Sequence, residues 1–221
     1  MSGGCCGHGP EMKDASAPFR RALWAVISLN ATMFAVEMTA GALAGSQALK
    51  ADALDFAADT ATYAISLAVL GASLRVRATA ALAKGASLLL MGVWVFGSTL
   101  WAALGPGLPD APVMGAVGLL ALAANFASVL LLLRFRDGDS NVRSVWLCSR
   151  NDAIGNVAVV AAALGVFGTG TAWPDLLVAG VMSALFLSAS VSILRQAVAE
   201  LRSSGQEAEA RHPMVAAGSD R

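Results

Sequence analysis

Apolar residues along this chain come in six long runs: roughly Leu23–Ala44, Ala48–Leu70, Gly85–Leu104, Val113–Leu133, Val145–Phe167 and Leu176–Leu194. Each is close to the ~20 residues that a helix needs to cross a hydrocarbon core about 30 Å thick. The pattern therefore predicts six membrane helices. The breaks Gly45–Gln47, Gly105–Ala111 and Gly168–Pro174 are rich in Gly, Pro, Ser and Thr. Such residues turn the chain tightly, so consecutive helices are expected to run as antiparallel hairpins. The fold expected is an all-α membrane protein, a six-transmembrane-helix bundle over residues 23–194 built from two inverted three-helix halves. A tail of residues 1–22 precedes it and a short polar tail of residues 195–221 follows.

Composition narrows the class. Of the 221 residues 57% are hydrophobic and 14% charged, against about 45–50% and about 25% in soluble domains. The apolar excess has to be buried in lipid, which excludes a soluble enzyme, a secreted disulfide scaffold and a nucleic-acid module. The net charge of zero decides nothing, but its distribution does. Thirteen of the fifteen basic residues, among them Arg20, Arg21, Arg75, Arg77, Lys84, Arg134, Arg136, Arg143, Arg195 and Arg202, fall on one side of the expected membrane. The opposite loops carry none, which places both termini in the cytoplasm. The first run is a full span rather than the short core of a cleavable signal, and Ser2 breaks the myristoylation pattern.

Glu37, Asp52, Asp55, Asp59, Arg150 and Asp152 all lie inside apolar runs. Ionisable groups at that depth cost about 2.5–3.5 kcal/mol each, so they persist where they face a partner, a cavity or an ion. Asp55 and Asp59 are four residues apart, which puts both carboxylates on one helix face. Without a cation between them they repel, and at least one takes up a proton. Cys148 and Asp152 have the same spacing in the fifth run, giving a second pair on one face. Two pairs on two helices could close a tetrahedral site around a divalent metal. Each feature also has a plainer account. The aspartates could be a hydrogen-bonded pair that joins helices, and Cys148 a small apolar filler. Asp52 could be a vestibule or packing residue, and Glu37 a relay acid or a hydrogen-bond partner. Arg150, about 200° around the helix from Cys148 and Asp152, points away from them. Cys5, Cys6 and His8 form a soft-ligand cluster in the first tail, readable either as a metal collector or as incidental residues, and His212 reads as exposed.

These residues resemble the cation diffusion facilitator, or cation efflux, family. The span from Ser46 to Asp59, Ser-Gln-Ala-Leu-Lys-Ala-Asp-Ala-Leu-Asp-Phe-Ala-Ala-Asp, is similar to that family's second-helix motif. Asn30, Glu37 and Gly41 resemble its first helix. Cys148-x-x-x-Asp152 stands where it usually has His-x-x-x-Asp, while Asn125 and Asp175 fall where it often has polar residues. The resemblance implies six helices with both ends cytoplasmic, and metal/proton antiport out of the cytoplasm. It covers about residues 20–195. The family's usual metal-sensing cytoplasmic domain has no counterpart in the polar residues after the sixth run, so the chain reads as a short member without it. Dimerisation through that domain therefore does not carry over, and a homodimer is left open.

The expected function is a proton-coupled antiporter, a secondary transporter and not an enzyme, in the bacterial inner membrane. Asp55, Asp59, Cys148 and Asp152 are the expected metal ligands. Three oxygens and a thiolate favour Zn²⁺, Cd²⁺ or Co²⁺ over Mg²⁺ and Ca²⁺, and Mn²⁺ stays open if Cys148 is not a ligand. The metal is cargo, with no permanent cofactor. Protons and lipid complete the expected partners, and nucleic acid is not among them. The alternative is a membrane metal sensor or assembly partner that binds ions without moving them. An ion channel would need like charges along one continuous path rather than two facing pairs. By its apolar run, Cys148 is only about a turn from the cytoplasmic edge. Either the fifth helix starts earlier, within Asp139–Ser144, or its first turns line a wet cavity, and the cavity is the reading favoured by Arg150.

Overall fold

Six helices make up the protein in a computed structural model that describes residues 17–69, 72–105, 107–133 and 140–216, with the backbone alone for residues 74, 140–151 and 203–216. They are α1 (Ala17–Ala44), α2 (Gln47–Ala68), α3 (Leu74–Ala103), α4 (Ala111–Leu133), α5 (Ser140–Thr169) and α6 (Trp173–Ala216). No strand occurs among the described residues. Five of the six are long and apolar enough to cross a membrane, and the sixth, α2, carries Lys50, Asp52, Asp55 and Asp59.

Surface and interior are reversed relative to a soluble domain. Leu90, Trp101, Phe126, Leu164 and Phe167 face outward, whereas Asn30, Glu37, Asp52, Asn125, Asn156 and Asp175 are buried. Such a surface is stable only in lipid, and the chain is an integral, multi-pass membrane protein. The helix pairs in contact are α1 with α2 and α4, α4 with α5, α3 with α6, and α2 with α3, α5 and α6, together with α5 against α6. Exchanging α1–α3 for α4–α6 maps nearly every touching pair onto another, which is the pattern of a two-fold repeat. The exception is α2 with α6.

The turns follow from their residues. Gly45 has a φ of +70° at the end of α1, and the Ser46 N–H donates to Gly41 O at 3.0 Å, a left-handed cap that favours glycine. Ser46 then caps α2 by accepting from Leu49 N–H at 3.0 Å. Asp110 caps α4 through Val113 N–H, while its own N–H donates to Ala44 O at 2.9 Å, tying that loop to the end of α1.

Four helices outrun their apolar stretches by five residues or more, α1 beginning at Ala17 rather than Leu23. α3 begins at Leu74 rather than Gly85, so Arg75, Arg77 and Lys84, expected in a loop, lie on helix. α6 continues past Leu194 to Ala216 through the segment read as a polar tail. α5 begins at Ser140, within the stretch Asp139–Ser144 where an early start is one of the two expectations, and this start accounts for the depth of Cys148 and Asp152. The reason is shared: Ala, Leu, Arg, Glu and Gln sustain a helix in water as well as in lipid, and hydropathy marks only the stretch within lipid.

The α3–α6 pair makes the most extensive helix contact in the bundle. A Cβ built on Gly85 would meet Leu194 Cγ at 2.8 Å, and one on Gly92 would meet Leu187 at 3.0 Å and Phe186 at 3.2 Å. Ser183 Oγ donates to Gly92 O at 3.1 Å across the same seam, a small-residue contact typical of membrane helices. Gly92→Leu is expected to cost about 1–3 kcal/mol through overpacking and to lower the melting temperature of the purified protein. Gly97→Leu, with open space around Gly97, is expected to melt like the unaltered protein.

Candidate metal centre

Asp55 and Asp59 occupy one face of α2, half-buried and close enough for their charges to interact. Across from them Asp152 of α5 is also half-buried, and its carboxyl lies in hydrogen-bonding contact with that of Asp59. Depth explains the meeting. Asp59 is twelve residues from the start of α2 and Asp152 twelve from the start of α5, so each lies ~18 Å along its helix at 1.5 Å per residue. The two helices enter from opposite ends, so these positions coincide near the middle of the bundle.

Two neighbours orient Asp59. Tyr63, buried one turn further along α2, donates its Oη–H to Asp59 Oδ2 at 3.1 Å. It sits among Phe19, Leu23, Val26, Ile27 and Leu132, a cluster that fixes its ring. Lys84 of α3 places its charge near Asp59, which its assignment to a loop would not have suggested. Tyr63 was not foreseen, although the signal was present: the chain's single tyrosine, four residues after Asp59.

The remaining acids separate from this group. Asp52 is 2% exposed and turns to Glu37 of α1 rather than to Asp152. Asp175 is fully buried where α6 begins and binds the start of α2: Ser46 Oγ donates to its Oδ1 at 2.6 Å, Gln47 N–H to Oδ2 at 2.8 Å and Ala48 N–H to Oδ1 at 3.0 Å. The carboxylate thus satisfies orphan donors at a helix N-terminus, where negative charge is favoured. The side chains of Cys148 and Arg150 lie outside the described residues, as do Cys5, Cys6 and His8 and the side chain of His212. Among the described residues no three His, Cys, Asp or Glu side chains converge as a metal cage. What is assembled is the contact between Asp59 and Asp152, with Asp55 a turn away.

A helical membrane bundle whose two central helices bring carboxylates together at bilayer depth belongs to the class of membrane proteins that handle ions. The model of the cation efflux transmembrane domain matches residues 23–202, and the chain belongs to the cation efflux family. It is 28% identical over 207 residues to the zinc transporter ZitB of Escherichia coli strain K12, covering 88% of this chain and 64% of that protein. It is 29% identical over 173 residues to the metal cation efflux system protein CzcD of Cupriavidus metallidurans, covering 72% and 54%. The zinc transporter ZitB of Pectobacterium atrosepticum is 27% identical over 196 residues, covering 81% and 60%. The chain thus spans between 54% and 64% of the length of these curated relatives.

Proposed function

We propose that this protein exports divalent late transition-metal cations, Zn²⁺, Cd²⁺ or Co²⁺, from the cytoplasm across a bacterial inner membrane in exchange for protons. The cation is held between α2 and α5 by Asp55, Asp59 and Asp152, with Cys148 as fourth ligand on the strength of its spacing from Asp152. Family membership supports cation efflux, and relatives named as zinc transporters and a metal cation efflux protein support the choice of ion. The observation that carries the site is the contact between Asp59 and Asp152, two acids from different helices at one depth.

The coupling follows from the ligands. A divalent cation binds carboxylates and thiolate only in their deprotonated forms, so metal and protons compete for the same atoms. Facing the cytoplasm, the cation displaces protons; facing outward, arriving protons neutralise the ligands and free it. Two inverted three-helix halves with a site between them suit such alternation.

Purified protein in vesicles, with a metal-sensitive dye inside and a pH step across the membrane, tests this. The expected result is saturable metal uptake that follows the pH gradient; binding without flux would make the protein a sensor. Cys148→Ser is expected to weaken Cd²⁺ transport roughly tenfold more than Mn²⁺ transport, since thiolate favours the softer ion. Equal effects on both ions would remove Cys148 from the site.

A further inference from the structure

Glu37 and Asp52 lie outside the group just described. Glu37 is 0% exposed and Asp52 2% exposed, and their carboxyls meet in the interface of α1 with α2. No donor from the described residues reaches either Glu37 oxygen or Asp52 Oδ2. The helices are held close nearby, because a Cβ on Gly41 would come within 3.0 Å of Leu49 and 3.1 Å of Lys50. Two touching carboxylates, buried and without a donor among the described residues, cannot both stay ionised. One proton placed between them supplies the missing O–H donor and removes one of the two charges.

We infer that Glu37 and Asp52 form a second cation site, a carboxyl dyad that holds one proton one helical turn away from Asp55 and releases it when a divalent ion occupies the metal centre. On release the dyad O–H bond breaks, the proton passes to water, and a carboxylate pair remains facing the added metal charge. The ionisable groups around the dyad are consistent with this. From α2, Asp55 bears on Glu37, and Lys50 packs its stem at Gly41. α4, the other helix against α1, has no ionisable side chain between Ala111 and Leu133. Among the helices against α2, α6 contributes Asp175, engaged at the α2 start. Lys84 of α3 and Asp152 of α5 bear on Asp59 instead. Two carboxyls suffice for a proton, whereas a divalent metal needs more ligands than this pocket offers. The metal-driven release rests on the exchange reading above; the proton itself does not.

The test uses the whole protein in lipid nanodiscs with two readouts. Without metal at neutral pH, the infrared carbonyl band of protonated buried carboxylic acids is expected to contain a component that is lost in Glu37→Gln and in Asp52→Asn and retained in Asp59→Asn and in Asp110→Asn. With Zn²⁺ titrated into weakly buffered protein, Glu37→Gln is expected still to bind the ion but to release about one proton fewer per ion. A band unchanged in both dyad variants, or an unchanged proton count, overturns the proposal. If the unaltered protein binds no Zn²⁺, the exchange reading and metal-driven release fail together, and the band alone then decides whether the dyad holds its proton.

Discussion

Asp59→Asn is expected to reduce metal uptake into vesicles to the level of protein-free lipid. Asparagine keeps the size of the side chain and its acceptor for Tyr63 but removes the negative charge that a cation requires in a medium of low dielectric. Mutating even the outer partners of metal ligands costs 10–100-fold, so losing a direct ligand is expected to cost at least about 100-fold in affinity. Asp152→Asn is expected to do the same, because among the described residues these two side chains bridge α2 and α5 at this depth. The control is Asp110→Asn: Asp110 is exposed and caps α4, a task asparagine performs about as well. Metal uptake by Asp59→Asn comparable to that of the control would remove the centre as described.

The second large effect is structural. Asp175→Ala leaves Ser46 Oγ–H, Gln47 N–H and Ala48 N–H without their acceptor in a buried corner. An orphaned buried donor costs about 1–3 kcal/mol, and relaxation recovers part of the sum, so a net loss of about 3 kcal/mol is expected. The readouts are the melting temperature and the amide hydrogen exchange of residues 47–50, which is expected to quicken ahead of the rest of α2. Asp175→Asn keeps one acceptor oxygen but turns an N–H₂ group toward at least one donor, and an intermediate loss is expected. Unchanged exchange in Asp175→Ala would show that α2 is held at its start by other means.

What the sequence disclosed and what it withheld separate along physical lines. Membrane spans were legible because the cost of exposing backbone in lipid forces helices of near-fixed length. The acids at depth were legible for the related reason that charge there is expensive. The pairing of Asp55 with Asp59 is a local consequence of helical pitch, and a spacing of four suffices to see it. Helix ends in water were not legible: Leu74, Ser140 and Ala216 lie beyond the apolar runs, where no lipid constrains the pattern. Nor were contacts between distant positions. Asp175 lies well over a hundred residues from Ser46, and nothing in either neighbourhood announces the other. The same holds for Glu37 and Asp52, whose meeting depends on how α1 faces α2. Gly85 and Gly92, seven residues apart on α3, carried a readable sign of close packing but not the identity of α6 as the partner.

Because Asp175 pins the first turn of α2, any tilt of that helix that keeps these bonds has its fulcrum at Gln47. Asp55 then stands on a lever arm of ~12 Å, Asp59 on one of ~18 Å and Ala68 on one of ~32 Å, at 1.5 Å per residue. A swing of about 10° would carry Asp55 by about 2 Å and the far end by about 6 Å. Such a swing would move helix α2 least where it is bonded to α6 and most where it meets the basic face of the bundle.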